Sequence, residues 1–290
     1  MKTVELDIVF LSYDEPNADL HYADLCNKVP WAKRVHGIKG SDAAHKAAAE
    51  LSETEWVITV DADNIVDVNF FNLNIKEDPA IEVYSWTAKN RINGLLYGNG
   101  GLKMWKKDFI LNMKSHEASD SDRAQVDFCW EDGYQQFKDC YSETVITGSP
   151  FQAWRAGFRE GVKMSLDQGA KVKDLRGIWW QNYQRLLIWC NIGADVKNGV
   201  WSIYGAREGA YLTNCTDWDY ASVRDFDWLT NEWETKYSKI TDKMLPYEIM
   251  GLGETLKHEC KLEVGEMDST ASEFFKRVYV NTPRIIKNRQ

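Results

Sequence analysis

The sequence predicts an α/β protein: a mostly parallel central sheet flanked by helices, followed by a mixed α+β half. Three stretches carry this expectation. Val4 to Leu11 is a near-continuous apolar run, as befits a strand buried on both faces. SDAAHKAAAELSE places Ala44, Ala47, Ala48 and Leu51 on one helical stripe, with Ser41 or Asp42 as its cap. Trp56 to Val60 is a second buried strand, β-branched, that runs straight into Asp61-Ala62-Asp63-Asn64. Strand, helix, strand in that order implies parallel pairing, with ligands at the carboxyl ends of the strands.

The remaining elements follow in order. The first strand ends in a turn-rich loop, Ser12 to Asn17, and Asp19 to Lys28 reads as a helix. Ala32 to His36 is a short strand, followed by Gly37 and Gly40. Ile81 to Thr87 reads as a strand, YGNGGLKMWKK as a glycine loop between apolar segments, and 116–135 as polar loop. Phe151 to Gln168 and Ile178 to Asn191 read as helices, with Trp179, Trp180 and Trp189 expected in a core.

Composition narrows the function classes. At 290 residues, with 44 % hydrophobic and 27 % charged, the chain is neither disordered, collagenous nor coiled coil. Its net charge of −9 argues against non-specific nucleic-acid binding, although AKRVHGIKG, KMWKK, KVKDLRG and RIIKNRQ leave a local basic face open. Trp and Tyr number 13 each; aromatics mostly fill cores, and an excess is also what planar bases and sugar rings stack on. No run approaches the roughly 18 apolar residues of a membrane span. Glu5 and Asp7 interrupt the first apolar stretch, so it reads as a strand and not a secretory signal. The cysteines (Cys26, Cys129, Cys140, Cys190, Cys215 and Cys260) are scattered without a C-x-x-C pair, and read as buried reduced thiols. Together these place the expectation in the cytoplasm, with the oligomeric state open.

The chemistry concentrates at Asp61 and Asp63. Residues i and i+2 of a strand point the same way, so two carboxylates project together at the ligand edge of the sheet. Such a pair repels unless a cation sits between its members, and hard oxygens favour Mg²⁺ or Mn²⁺ with positions left for substrate phosphates. The helix opening at Ser41 brings backbone N–H groups and its positive dipole end to the same edge, which suits a diphosphate, with His45 and Lys46 one turn in. In the loop after the first strand, Tyr13 can stack on a base and Asp14 can accept from a base N–H. Arg155, Arg159 and Arg207 can clamp phosphate or pair with nearby glutamates. Trp86 and Trp105, close to the glycine loop, are candidates to stack on an acceptor.

The order DIVFLSYDEP, VHGIKGSDAAHKAAAE, WVITVDADN resembles the nucleotide-sugar glycosyltransferases of the GT-A fold, a Rossmann-like architecture, over roughly the first 65 residues. Further on, Asn99-Gly100-Gly101 is similar to the acceptor-side glycine loop of such enzymes. Glu131-Asp132 in FCWEDGY resembles the acidic pair that supplies the base in inverting members. SPFQAWRAGFREGVKM resembles the Q-x-x-R-W motif of family 2 through Gln152, Trp154 and Arg155, with a different order and spacing. SYDEPN and AWRAGFRE are similar to segments of phage- and virus-encoded glycosyltransferases.

The resemblance implies a nucleotide-sugar-binding half over 1–115 and an acceptor-binding half over 116–290 in one domain. Asp61 and Asp63 would hold Mn²⁺ or Mg²⁺. Ser12, Tyr13, Asp14, Ser41, Lys46, Asp61, Trp86, Gly100, Gly101 and Arg155 would contact substrate, and Asp132 or Glu131 would act as base. A third metal ligand would come from His258, Asp217 or Asp219. The donor would be a UDP-sugar, and the acceptor a hydroxymethylated base of phage DNA, a glycan or a small molecule. A nucleotidyltransferase is the rival enzyme, disfavoured because the loop after the first strand is acidic and glycine-free. A non-catalytic binding module is the remaining alternative.

Overall fold

The computed structural model describes residues 1–97, 100–113 and 133–279. The chain forms two compact units. One comprises the described residues of Met1–Arg91 and Leu95–Val145, the other Ile92–Gly94 and 146–279.

The first unit is a sheet flanked by helices. Its elements are β1 (Asp7–Ser12), α1 (Ala18–Lys28), β2 (Lys33–His36), α2 (Ser41–Leu51), β3 (Trp56–Asp61), β4 (Asn64–Val66), β5 (Val83–Asn90), β6 (Leu96–Tyr97), β7 (Leu102–Lys106), α3 (Lys107–Asn112) and β8 (Tyr134–Thr144). The strands run in the order β2-β1-β3-β7-β5-β8-β4, with β6 paired to β5. Alternation along the central strands feeds two cores. Ile8, Phe10, Ile58, Val60 and Met104 pack with Leu25 of α1 on one face. Val9, Leu11, Val57 and Trp105 pack with Ala48 and Ala49 of α2 on the other. Burial on both faces explains why β1 and β3 read as unbroken apolar runs. Val4 and Glu5 of the expected strand lie instead in a short 3₁₀ turn, Thr3–Glu5, anchored where the Thr3 hydroxyl donates to Phe70 O at 2.8 Å.

The sheet is mixed, which corrects the expectation of mostly parallel pairing. β1 pairs in parallel with β2 and with β3, as the strand–helix–strand pattern requires. β7 then lies antiparallel between β3 and β5. The connection from β5 to β7 is too short for the crossover of a dozen or more residues that parallel pairing needs, so the chain turns back on itself. β8 is parallel to β5 and carries a register irregularity between Trp86 and Ala88. β8 is also the only strand past residue 116 among the described residues, and it belongs to this unit.

The second unit is built from helices: α4 (Pro150–Met164), α5 (Trp180–Asn191), α6 (Gly199–Cys215), α7 (Phe226–Thr235), α8 (Leu245–Cys260) and α9 (Ser269–Val278). Ser149 caps α4 by accepting from Gln152 N–H at 3.1 Å, with Pro150 at its first position. α4 and α6 approach to backbone contact through paired glycines. A Cβ on Gly157 would lie 2.0 Å from Ser202 O, and one on Gly161 would lie 2.2 Å from Ala206 O. From the opposite side, Gly205 and Gly209 press on the carbonyls of Trp154 and Phe158. Trp179 and Trp180 are exposed, at 37 % and 59 %, whereas Trp189 is buried, so only the last belongs to the core.

Arg207, read from sequence as a phosphate clamp or the partner of a nearby glutamate, is 1 % exposed and engaged within this unit. Its guanidinium donates to the carbonyls of Cys190 (2.9 Å), Ile249 (2.8 Å) and Gly265 (2.7 Å), and pairs with Glu266 at 2.8 Å. It ties α5, α6, α8 and the segment after α8 together. Its neighbour Glu208 is also buried, accepting from Trp154 Nε1 at 3.3 Å and from the Tyr237 hydroxyl. Burial pushes this carboxyl up to about 7 from 4.5, outweighing both hydrogen bonds. The folded value lies above the unfolded one, so as pH rises the unfolded chain releases its proton first. Stability is therefore lost from about pH 4.5 to about pH 7 and is level above that. Glu208→Gln is expected to abolish this slope and to stabilise the protein near neutral pH by on the order of 3 kcal/mol. Urea melts at acidic and at neutral pH check it; an unchanged slope refutes the assignment.

Candidate functional site

The site is assembled at the carboxyl end of β1 and β3, within the first unit. β3 ends at Asp61, and Asp63 follows in the turn to β4. Three groups fix this turn. His21 of α1 is buried and donates from Nδ1 to Ala62 O at 2.7 Å. Asp61 N–H donates to Gly101 O at 2.8 Å. Val145 N–H donates to Asp63 O at 2.6 Å. Gly101 has no room for a side chain: a Cβ there would lie 2.4 Å from Asn64 Nδ2 and 2.6 Å from Asp61 Oδ2. The glycine loop anticipated from the sequence thus presses its backbone on Asp61 and Asn64. Gly100 is equally confined, with Trp86 O 2.8 Å from where its Cβ would be.

The electrostatics of the pair are those of a crowded acid. Burial, and then the Asp61 charge, push the Asp63 carboxyl up to about 7. Glu15 adds to this push, while Lys103 and the hydrogen bond from Asn64 Nδ2 to Asp63 Oδ1 (2.6 Å) oppose it. Asn64 Oδ1 is buried with no partner among the described residues. The carboxylate oxygens of Asp61 and Asp63 are hard donors of the kind a divalent cation takes. Among the described residues no group of three or more His, Cys, Asp or Glu could hold a metal.

α2 begins beside the pair. Gly37 and Gly40 have φ of 76° and 97°, a region that glycine enters without steric cost. Gly40 occupies the N-cap position and has no side chain with which to cap. Ser41 is therefore the first helical residue and not the cap, a correction to the sequence reading. His45 is buried, donates from Nδ1 to Ser41 O at 2.8 Å and meets Trp105 edge-on at 5.4 Å. Burial pulls its pKa down, against the attraction of Asp61. Lys46 is half-buried on the same helix.

In the loop after β1, Tyr13 is 45 % exposed and its N–H donates to Glu15 Oε2 at 2.8 Å. Asp14 is exposed. Ser12 is buried, and its hydroxyl accepts from Arg34 Nε (2.9 Å) and meets His36 Nδ1 (3.0 Å). Trp86 is 1 % exposed, edge-on to Phe70 and stacked on Phe137. It is a core side chain, and so is Trp105, fully buried with its Nε1 donating to Thr59 Oγ1 at 2.8 Å. Neither has a face left for an acceptor.

The other candidates fall outside the described residues or belong to the second unit. Glu131, Asp132 and Asn99 fall outside the described residues. Arg155 belongs to α4 in the helical unit, its guanidinium over the rings of Phe151 (5.1 Å) and Phe226 (5.3 Å), and Arg159 also lies over Phe226. His258, Asp217 and Asp219 are in that unit too, where Asp219 caps Tyr220–Arg224 by accepting from Ala221 N–H.

Two residues of the site went unnoticed in the sequence. His21 carries no pattern beyond a lone histidine on a helix. Lys103 of β7 is opposite Thr59 in the antiparallel register, and its ammonium lies 5.9 Å from the Trp105 ring. Its charge acts on both Asp63 and His45. The signal for it was the period of two in LKMWK, which puts Lys103 and Trp105 on one face.

No family model matches this chain, and no curated protein matches it. Among solved structures, HddC from Yersinia pseudotuberculosis is similar at 17 % identity, covering 51 % of this chain and 76 % of that one with a TM-score of 0.27. The mannosyltransferase PcManGT from Pyrobaculum calidifontis, solved in complex with GDP-Man and Mn²⁺, is similar at 10 % identity, covering 88 % of each chain with a TM-score of 0.31. Among the described residues no helix is long and apolar enough to cross a membrane.

Proposed function

We propose that the chain is a metal-dependent glycosyltransferase that moves a sugar from a UDP-sugar to an acceptor hydroxyl. One observation carries the reading: Asp61 and Asp63 crowd together at the end of β3, beside an N-terminus of α2 that Gly40 leaves without a side-chain cap. An acidic pair is the wrong surface for a diphosphate unless a cation lies between them, and Mn²⁺ or Mg²⁺ on Asp61 and Asp63 would neutralise the charge that develops on the leaving diphosphate. Around it, the backbone N–H groups of α2, the Ser41 hydroxyl and Lys46 would receive phosphate oxygens. Tyr13, whose ring is exposed, would stack on the base, and Asp14 would accept from it. Asp132 or Glu131 would take the proton of the acceptor hydroxyl if the configuration inverts. Ser12, committed to Arg34 and His36, would shape the floor of the base site.

A thermal-shift series of nucleotide sugars with and without Mn²⁺ tests this. A UDP-sugar is expected to raise the melting temperature only in the presence of the metal, because a ligand of the folded state alone stabilises it. No shift with any nucleotide sugar in either condition overturns the reading. For the acceptor, a hydroxymethylated base would have to be flipped out of duplex DNA. DNA binding that weakens steeply with salt supports that acceptor; its absence leaves the glycan or small molecule.

Lys103 provides a further test. If it faces the diphosphate, Lys103→Ala should weaken UDP binding about tenfold or more and leave uridine binding unchanged, since only the former carries the charge. Titration calorimetry in Mn²⁺ separates the two. Equal loss for both ligands would mean that Lys103 serves the fold and not the phosphate.

A further inference from the structure

We propose that Cys215 and Cys260 form an oxidisable dithiol, a modification site that takes a small-molecule disulfide such as oxidised glutathione as its co-reactant. The two residues close α6 and α8, are 45 positions apart in sequence, and bring their sulfur atoms to 2.8 Å. Both are free thiols. A disulfide measures about 2.05 Å, so bonding asks for less than about 1 Å of further approach. The geometry is held by contacts that do not involve the thiols. Arg207 of α6 donates to Ile249 O of α8, fixing one helix against the other. Lys261 turns through φ 56° and returns its N–H to Leu256 O, ending α8 at Cys260. The Thr216 hydroxyl donates to Leu212 O at 2.6 Å and ends α6 at Cys215.

The pair is asymmetric in the way thiol–disulfide exchange requires. Cys215 is half-buried and open to attack, while Cys260 is 1 % exposed. The hydrogen bond from Cys260 holds the Cys215 thiol below its usual value, against burial and the Glu259 charge. The same bond, with burial, pushes Cys260 up. Cys215 is thus the nucleophile and Cys260 the resolving thiol. The Cys215 thiolate attacks one sulfur of the small disulfide, forming a mixed disulfide and releasing a thiolate that takes up the Cys215 proton. Cys260 then attacks Cys215 Sγ and expels the second small thiolate, which takes up the Cys260 proton. Two cysteines are oxidised by two electrons, and one small disulfide is reduced to two thiols. The product cross-links α6 to α8 around the stretch that holds α7.

The test uses the full chain incubated with oxidised glutathione, then alkylated and peptide-mapped by mass spectrometry. The expected result is a Cys215–Cys260 cross-linked peptide, with a rise in melting temperature of roughly 5 °C or more that dithiothreitol reverses. Cys260→Ser should stop at a glutathione adduct on Cys215, and Cys215→Ser should give no cross-link and no adduct on Cys260. Exposed Cys140 serves as the control that gains an adduct without cross-linking. Cys215 and Cys260 both recovered as alkylated thiols from the wild-type chain would overturn the proposal, as would a cross-link of either to another cysteine. The wild-type peptide map decides the matter even if a variant fails to fold.

Discussion

Asp63→Ala is expected to abolish metal-dependent turnover of the donor, by at least ~10²-fold, while the metal-free protein becomes more stable. The two effects have one cause. Asp63 lies in a half-buried site where burial, and then the neighbouring Asp61 charge, disfavours its ionised form. A protein gains nothing in stability from such a pair; removing one member relieves the repulsion. Under the proposed function, a cation bound between the two carboxylates would invert the electrostatics and turn repulsion into shared attraction. Melting temperature and donor hydrolysis, each measured in chelator and in Mn²⁺, therefore separate the roles. In chelator the variant should melt above wild type. In Mn²⁺ with a UDP-sugar wild type should gain and the variant should not. Asp63→Asn, which keeps the shape and the Asn64 contact, should behave like Asp63→Ala in both measurements. Undiminished turnover in the variant, or in excess chelator, would remove the metal from the mechanism. A variant less stable than wild type in chelator would show that the pair is structural.

How much of this was legible in the sequence depended on range. The parallel β1–β2–β3 core was legible because its evidence is local: apolar runs, an alanine stripe and glycines at a turn, each read within about a dozen residues. The acidic pair was legible for the same reason, since Asp61 and Asp63 stand at the end of such a run. The mixed pairing was not, because β7 enters between β3 and β5 through partners distant in sequence, and LKMWK has the same composition whichever way it runs. Trp86 illustrates a second limit. Its nearness to the glycine loop suggested an acceptor platform, but β5 buries it against Phe70 and Phe137, contacts invisible in one dimension. Arg207 and Glu208 fall to the same limit: nothing in IYGAREG distinguishes a phosphate clamp from a buried arginine whose donors meet backbone carbonyls.

The glycines that face one another across α4 and α6 predict the largest effect on folding. Gly157→Ala should destabilise the helical unit by about 3 kcal/mol or more, because the added methyl would meet Ser202 O at 2.0 Å, backbone that cannot turn aside like a side chain. Relief requires α4 and α6 to separate, and their interface is held from both sides, with Gly205 and Gly209 of α6 set against Trp154 and Phe158 of α4. Separation would open the packing of Trp154, Phe158 and Trp201, which are all buried, so the cost exceeds that of one clash. Intrinsic helix propensity argues the opposite way, since alanine is favoured over glycine by about 0.8–1.0 kcal/mol in a helix interior. Gly251 of α8 isolates that term, because a Cβ there meets nothing within 4 Å. Gly251→Ala should therefore raise the urea midpoint while Gly157→Ala lowers it, the same chemical change with opposite sign. If both variants shift the midpoint upward, α4 and α6 are not in backbone contact.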